Sequence, residues 1–180
     1  MKLAKLFSKQ IISISAISGA LLVGLPILAL AQGNPGLVIF SGEDRKNILD
    51  YKLDLGFPEA RDRYYLYIPA KKLPQGASKF YLSYPKNFSG SFKDVQPKIR
   101  LNDDTSSDGV PVEPMIWDKE GRFIVITPKN PIDPNTKVTI VLPKVKNPNF
   151  GTYYMVADVQ ASGDIPVRLY VGTWILSFNR

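Results

Sequence analysis

The stretch N-P-I-D-P-N-T-K-V-T-I-V-L-P-K-V-K-N-P-N-F-G-T-Y-Y, residues 130–154, changes texture three times. Asn, Asp and Pro crowd its start, an apolar run follows, N-P-N-F-G interrupts, and the apolar pattern resumes. Gathered Asn and Asp oxygens suit a metal ion or a sugar, but the same residues also end strands. The order of residues favours punctuation. Asp133-Pro134-Asn135-Thr136 has Asp first, where it holds its own backbone, Pro second, where the ring presets φ, and Asn third, the pattern of a type I β-turn. Val138, Ile140 and Leu142 then share one face of a strand. In Asn147-Pro148-Asn149-Phe150-Gly151, Gly151 is free to take a φ that other residues resist. The stretch reads as strands and turns, with no ligand.

The same reading extends along the chain. Residues 49–55 alternate strictly, placing Leu49, Tyr51, Leu53 and Leu55 on one face. Residues 64–68 and 80–84 are short aromatic and β-branched runs that stop at Pro69 and Pro85, and 98–101 is a weaker strand. Residues 115–117 and 122–127 flank D-K-E-G, whose Gly121 suits a positive φ, so the pair predicts a hairpin. Residues 138–142, 152–160 and 167–178 complete eight or nine strands, with one helical turn expected within 44–50. Helical periodicity is absent elsewhere, and the 15 prolines punctuate the chain too often for long helices. Strands with one apolar face each must meet another layer, which predicts an all-β, two-sheet antiparallel sandwich.

The first 31 residues read as a separate element. Lys2, Lys5 and Lys9 precede an apolar or small-residue run over 11–30, and Ala29-Leu30-Ala31 has the form of a cleavage site. This predicts a signal peptide at 1–31 and a single β-sandwich domain at 32–180. The competing reading is an uncleaved anchor, since about 20 apolar residues span a bilayer, and only then is membrane association expected. Export is expected in both cases, to the periplasm first, with the thylakoid lumen or the outside medium as alternatives. Loss of the three lysines lowers the formal charge from +7 to +4. That excess suits loose attraction to anionic surfaces and does not point to nucleic acid.

Two residue types are missing altogether. With no Cys the domain stands without disulfides. With no His there is no Ser-His-Asp or Cys-His nucleophile, no imidazole base, and no His- or Cys-ligated zinc. Carboxylates, Lys, Tyr and hard-metal oxygen ligands remain. D-T-S-S-D-G at 104–109 places Asp104, Ser106 and Asp108 as the first alternate oxygens of a calcium loop, with Gly109 next. The twelfth position, however, is Met115 where a bidentate carboxylate belongs, and Glu113 comes two residues early. The alternative is an Asx-rich turn. Glu43, Asp103, Asp104, Asp108 and Glu113 are available to a carboxylate-dependent glycan hydrolase, but spacing selects no pair. Tyr64, Tyr65, Tyr67, Phe80, Tyr81, Tyr84, Tyr153 and Tyr154 offer sugar-stacking rings, yet strands prefer aromatics anyway, and one of each alternating pair belongs in the core. Trp117 and Trp174 are expected to be buried anchors. Arg61, Arg63, Lys71, Lys72, Lys144 and Lys146 sit at strand entries and exits, where a solvated rim is the plain expectation.

Four blocks follow one another from Arg61 onward: Y-Y-L-Y-I-P-A at 64–70, P-I-D-P-N-T-K-V-T-I-V-L at 131–142, N-P-N-F-G-T-Y-Y at 147–154 and L-Y-V-G-T-W at 169–174. Through them the chain resembles the exported cyanobacterial proteins of domain-of-unknown-function family 2808. The resemblance implies an exported, all-β, immunoglobulin-like antiparallel β-sandwich and brings no catalytic residues or cofactor. The resulting expectation is a non-catalytic binding or structural module of the cell envelope. An envelope protein or a surface polysaccharide is the expected partner, with a calcium- or carbohydrate-binding module as the alternative.

Overall fold

The computed structural model describes residues 44–105, 109–163 and 167–179; the signal segment expected at 1–31 lies outside them. Ten strands are present among these residues, in chain order β1 Ile48–Leu49, β2 Tyr51–Leu53, β3 Arg61–Ile68, β4 Lys79–Ser83, β5 Lys98–Leu101, β6 Ile116–Asp118, β7 Phe123–Ile126, β8 Val138–Lys146, β9 Gly151–Gln160 and β10 Arg168–Phe178. The helical turn expected within 44–50 is a single 3-10 turn, Arg45–Asn47.

One sheet has the order β1-β10-β9-β4-β7-β6 and the other β2-β3-β8-β5. Four strands facing a larger sheet follow the immunoglobulin-like plan, with six strands in the larger sheet where the variable type has five. The chain path has its own twist. From β4 it crosses to β5 in the opposite sheet and returns through β6 to β7, so the outermost strand precedes its inner neighbour.

The core lies between the sheets, where Trp174, Tyr64, Phe80, Phe92 and Phe178 are fully buried. Alternation fixes which rings go in: Tyr64, Phe80 and Tyr153 are buried, while Tyr65, Tyr67, Tyr81 and Tyr154 face outward. Trp174 is the expected anchor, its Nε1 donating to the Tyr67 carbonyl at 3.3 Å. Trp117 departs from expectation and is only partly covered, its Nε1 donating to the Tyr84 hydroxyl at 2.7 Å.

Four local expectations are corrected. The strand at 49–55 splits, because the chain changes sheets at Asp50: Leu49 pairs with Trp174 in one sheet and Tyr51 with Leu66 in the other. That accounts for the tenth strand, and it leaves Leu55 outside the core. The β1–β10 pair is parallel, the one exception to antiparallel pairing among the described strands. Asn135 takes φ +55, which excludes type I at 133–136, since that turn keeps its third residue at negative φ. In the β6–β7 turn Arg122, not Gly121, takes the positive φ of 56. Gly121 is there for space, as a Cβ would lie 2.5 Å from the Phe123 ring.

Gly172 explains the glycine of the final strand in the same way. A Cβ there would sit 2.6 Å from the Asn47 carbonyl and 2.7 Å from Leu49 Cγ, so only glycine lets β1 lie against β10. Gly172→Ala is therefore expected to lower stability in urea unfolding by about 1–3 kcal/mol. A neutral result would mean that β1 is not docked there.

Candidate functional site

Four connections lie at one end of the sandwich: residues 54–60 between β2 and β3, 84–97 between β4 and β5, 119–122 between β6 and β7, and 147–150 between β8 and β9. Beneath them an aromatic plug fills the space between the sheets. Phe88 and Phe92 stack at 5.5 Å, and Phe88 meets Tyr153 edge-on at 5.5 Å. Phe178 closes the plug against Tyr64 at 6.0 Å and Tyr153 at 5.9 Å.

The loops are held by a buried polar knot. Asp62 is 4% exposed and Asn147 is 1% exposed. The Asp62 carboxylate accepts from the backbone N–H of Leu55 at 3.0 Å, Gly56 at 2.7 Å and Arg63 at 2.7 Å. Asn147 Nδ2 donates to Asp62 at 3.2 Å and to the Phe57 carbonyl at 2.7 Å. Its Oδ1 accepts from the Tyr64 hydroxyl at 2.7 Å. Burial first, then the Asp62 charge, pushes that hydroxyl far above its ordinary pKa of 10.0, so it stays a donor. Backbone bonds finish the seam, from Asn147 N to the Ala60 carbonyl at 2.8 Å and from Glu59 N to the Pro148 carbonyl at 3.0 Å.

On the outside of this knot the same loops present apolar side chains to water. Leu55 is 53% exposed, Phe57 44% and Phe150 69%. Single exposed apolar residues are ordinary, but these three stand on two loops bonded to each other. Leaving them out of a core forgoes roughly 1 kcal/mol each. The same loops and the strand ends that adjoin them carry basic side chains: Arg61, Arg63, Lys86, Lys93, Lys144 and Lys146 are all exposed. Among the described residues of 54–63, 84–97 and 144–150, the exposed acids are Asp54, Glu59 and Asp94. Arg61 faces Lys146 directly across β3 and β8, a like-charge pairing that works against the sheet. Asp94 lies 2.9 Å from Arg61, and Asp54 lies 3.8 Å from Arg63.

Two grooves open beside this end. One of about 960 Å³ runs between 92–97 and 112–117, lined by Arg61, Lys93, Lys144, Asp94, Glu113 and Trp117. The other, about 610 Å³, is lined by Lys86, Lys119, Arg122, Glu120, Tyr84 and Trp117. Lys119 Nζ lies 4.5 Å from the Trp117 ring centroid, covering one face of it.

The sequence candidates scatter. Asp104 follows β5 at the far end of the sandwich, its N–H donating to the Leu101 carbonyl at 2.9 Å, while Ser106 and Asp108 lie outside the described residues. Among the described residues no cluster of three His, Cys, Asp or Glu suits a metal ion. Of the carboxylates weighed for hydrolysis, Asp103 is ion-paired with Lys137, Glu113 lines the larger groove, and Glu43 also lies outside the described residues. The basic set divides: Arg61, Arg63, Lys144 and Lys146 share the loop end, whereas Lys71 and Lys72 lie in the 3-10 turn Ala70–Lys72 beyond the other end of β3. Two outward aromatics of the six-stranded sheet already have companions, while Tyr154 is 50% exposed. The Arg168 guanidinium lies 4.3 Å from the Tyr81 ring centroid, and the Tyr170 hydroxyl bonds Thr173 at 2.9 Å. Sequence reasoning missed Asp62 and Asn147, whose partners are far away in the chain, and it missed the tip residues, because exposure is invisible to alternation.

The fold and this end together define a two-sheet, all-β sandwich with an apolar-tipped, basic-rimmed loop surface. The chain belongs to the family described as "Protein of unknown function (DUF2808)", whose profile matches residues 37–178. No curated protein matches the chain. Solved structures similar to it include the bacterial hydrophobin BslA, at 12% identity and a TM-score of 0.46, covering 73% of this chain and 97% of that one. A collagen-binding domain from a Staphylococcus aureus adhesin is similar at 12% identity and a TM-score of 0.37, covering 71% and 93%. A chain of a structure described as the complete structure of manganese lipoxygenase of Gaeumannomyces graminis and partial structure of zonadhesin of Komagataella pastoris is similar at 9% identity and a TM-score of 0.41, covering 75% and 48%. Likeness at this level carries none of their functions to this chain.

The knot and the tip predict opposite mutational responses. Asn147→Ala strands the Tyr64 hydroxyl and the Phe57 carbonyl and leaves Asp62 Oδ2 with the Gly56 N–H alone, and is expected to cost about 2–4 kcal/mol in urea unfolding. Phe150→Ser, on an open side chain, is expected to change stability by less than about 0.5 kcal/mol. The reverse ranking would place the structural role at the tip. Tyr64 adds a pH dependence. Its folded pKa is raised, so its contribution is complete below pH 10.0 and is lost as pH climbs beyond that value. Stability measured across the alkaline range should fall, and Tyr64→Phe should flatten that fall while costing about 1 kcal/mol at neutral pH. An unchanged alkaline slope in Tyr64→Phe would contradict it.

Proposed function

We propose that this chain is an exported, non-catalytic binding module of the cell envelope, with the loop end of the sandwich as its contact surface. The observation that carries the reading is the joint placement of Leu55, Phe57 and Phe150 on two loops that Asp62 and Asn147 tie together, inside a rim of six exposed basic side chains. An apolar tip held by a buried network is a preorganised contact, because little ordering entropy remains to be lost on binding. Loops on a rigid scaffold are where binding residues concentrate. The absence of His and Cys from the sequence supports the non-catalytic part, since it leaves few nucleophile and base systems to draw on. The signal-like segment at 1–31 supports export, with the periplasm as first compartment and the thylakoid lumen or the outside medium next.

The partner is an envelope component that presents apolar and anionic groups side by side. This favours an amphiphilic surface over a neutral polysaccharide, which would use the aromatic faces and leave the basic rim idle. Sedimentation with an envelope fraction of the producing cell tests the reading. The exported protein should pellet with the envelope, and Phe57→Ser/Phe150→Ser should stay largely in the supernatant. Equal pelleting of the two proteins would overturn the loop end as the contact surface.

A further inference from the structure

We infer that the surface this end seats on is an anionic lipid bilayer, bound peripherally and reversibly; the inference rests on the proposed loop-end contact and names its partner. The tip has the form such a surface needs. Leu55, Phe57 and Phe150 stand outward on loops instead of lining a groove, so they suit insertion into a soft interface more than capture of a ligand. Aromatic and leucine side chains are the ones that settle at the headgroup and acyl boundary.

The charge around the tip fits the same target. Arg61, Arg63, Lys144 and Lys146 cluster where β3 and β8 reach the loop end, with Lys86 and Lys93 on the neighbouring connection. Arg61 and Lys146 are direct cross-strand neighbours; Asp94 answers the Arg61 charge at 2.9 Å, and phosphate groups would answer that of Lys146. Lysine and arginine near a negatively charged leaflet each add attraction that fades within a Debye length. An acidic polysaccharide would satisfy the cations but leave the three apolar side chains in water. Insertion and phosphate contact together use both halves of the surface. The knot keeps the two loops in register, so all three apolar residues enter the interface together.

The test uses the exported protein, vesicles of equal parts phosphatidylglycerol and phosphatidylcholine, vesicles of phosphatidylcholine alone, and soluble polygalacturonate as a competitor. The protein should bind the anionic vesicles about tenfold or more tightly than the neutral ones, and salt at about 1 M should release it. Phe57→Ser/Phe150→Ser should weaken anionic-vesicle binding by about tenfold, and Lys144→Glu/Lys146→Glu by about tenfold or more. Any contribution from residues 11–30 is common to parent and variants, so the differences report the loop end alone. Phe150→Trp gives a second readout that does not depend on a destructive change: its emission should shift to the blue on anionic vesicles.

Equal binding to neutral vesicles, an unshifted Phe150→Trp, or full binding by the double-serine variant would each overturn the lipid assignment. Polygalacturonate bound more tightly than anionic vesicles, with an affinity that Phe57→Ser/Phe150→Ser leaves unchanged, would overturn it in favour of a glycan. If vesicles fail while envelope sedimentation still depends on Phe57 and Phe150, the contact surface stands and the lipid falls. If sedimentation ignores those residues, both fall.

Discussion

The loop end depends on one buried carboxylate and the amide that faces it. Asp62 begins the inward face of β3, a position that alternation would give to an apolar residue, and it has no cation within its shell of partners. It is held by neutral donors: three backbone N–H groups and the Asn147 side chain. A buried charge is tolerable only when its lone pairs are occupied, so the loop at 54–56 must wrap round it. Asn147 must also sit where it can reach Asp62, Phe57 and Tyr64 at once. The requirement couples β3 to the β8–β9 turn across more than eighty residues of chain.

That coupling separates stability from contact. Polar groups that would ordinarily lie outside are turned inward to fix the loops, and apolar groups that would ordinarily lie inside are turned outward on the same loops. Asn147 and Phe150 stand three residues apart in one turn, the first buried and the second open. A fold needing only closure at this end would bury Phe150 and leave a polar residue outside. The aromatic plug of Phe88, Phe92, Tyr153 and Phe178 already closes the core without it. The bulge between Asp62 and Tyr64, opposite Lys144 at φ +59, keeps Arg63 and Lys144 on the outer face beside the tip.

Much of the architecture was legible in the sequence, because burial on one face of a strand writes itself as alternation. The run at 138–142, the hairpin around D-K-E-G and the long final pair were all readable in this way. Residues 147–154 were readable as a turn between strands, with Gly151 at φ +145 as its positive-φ residue. The role of Asn147 was not readable, since its partners come from distant elements and no local spacing marks them. Residues 49–55 misled for a physical reason: strict alternation does not record which sheet a strand joins, and here the chain changes sheets at Asp50. Gly121 misled because glycine serves both a positive φ and a lack of room, and only packing distinguishes the two. Of the calcium pattern at 104–109, Asp104, Thr105 and Gly109 are among the described residues, and Ser106 and Asp108 are not.

Hydrogen exchange of the protein, with and without envelope membranes, tests the central claim most directly. Amides at 54–60 and 147–151 should exchange more slowly when membranes are present, with β4, β7 and the outer face of the six-stranded sheet unchanged. Protection that appeared around Tyr81 and Tyr170, with the loop end exchanging as before, would contradict the account.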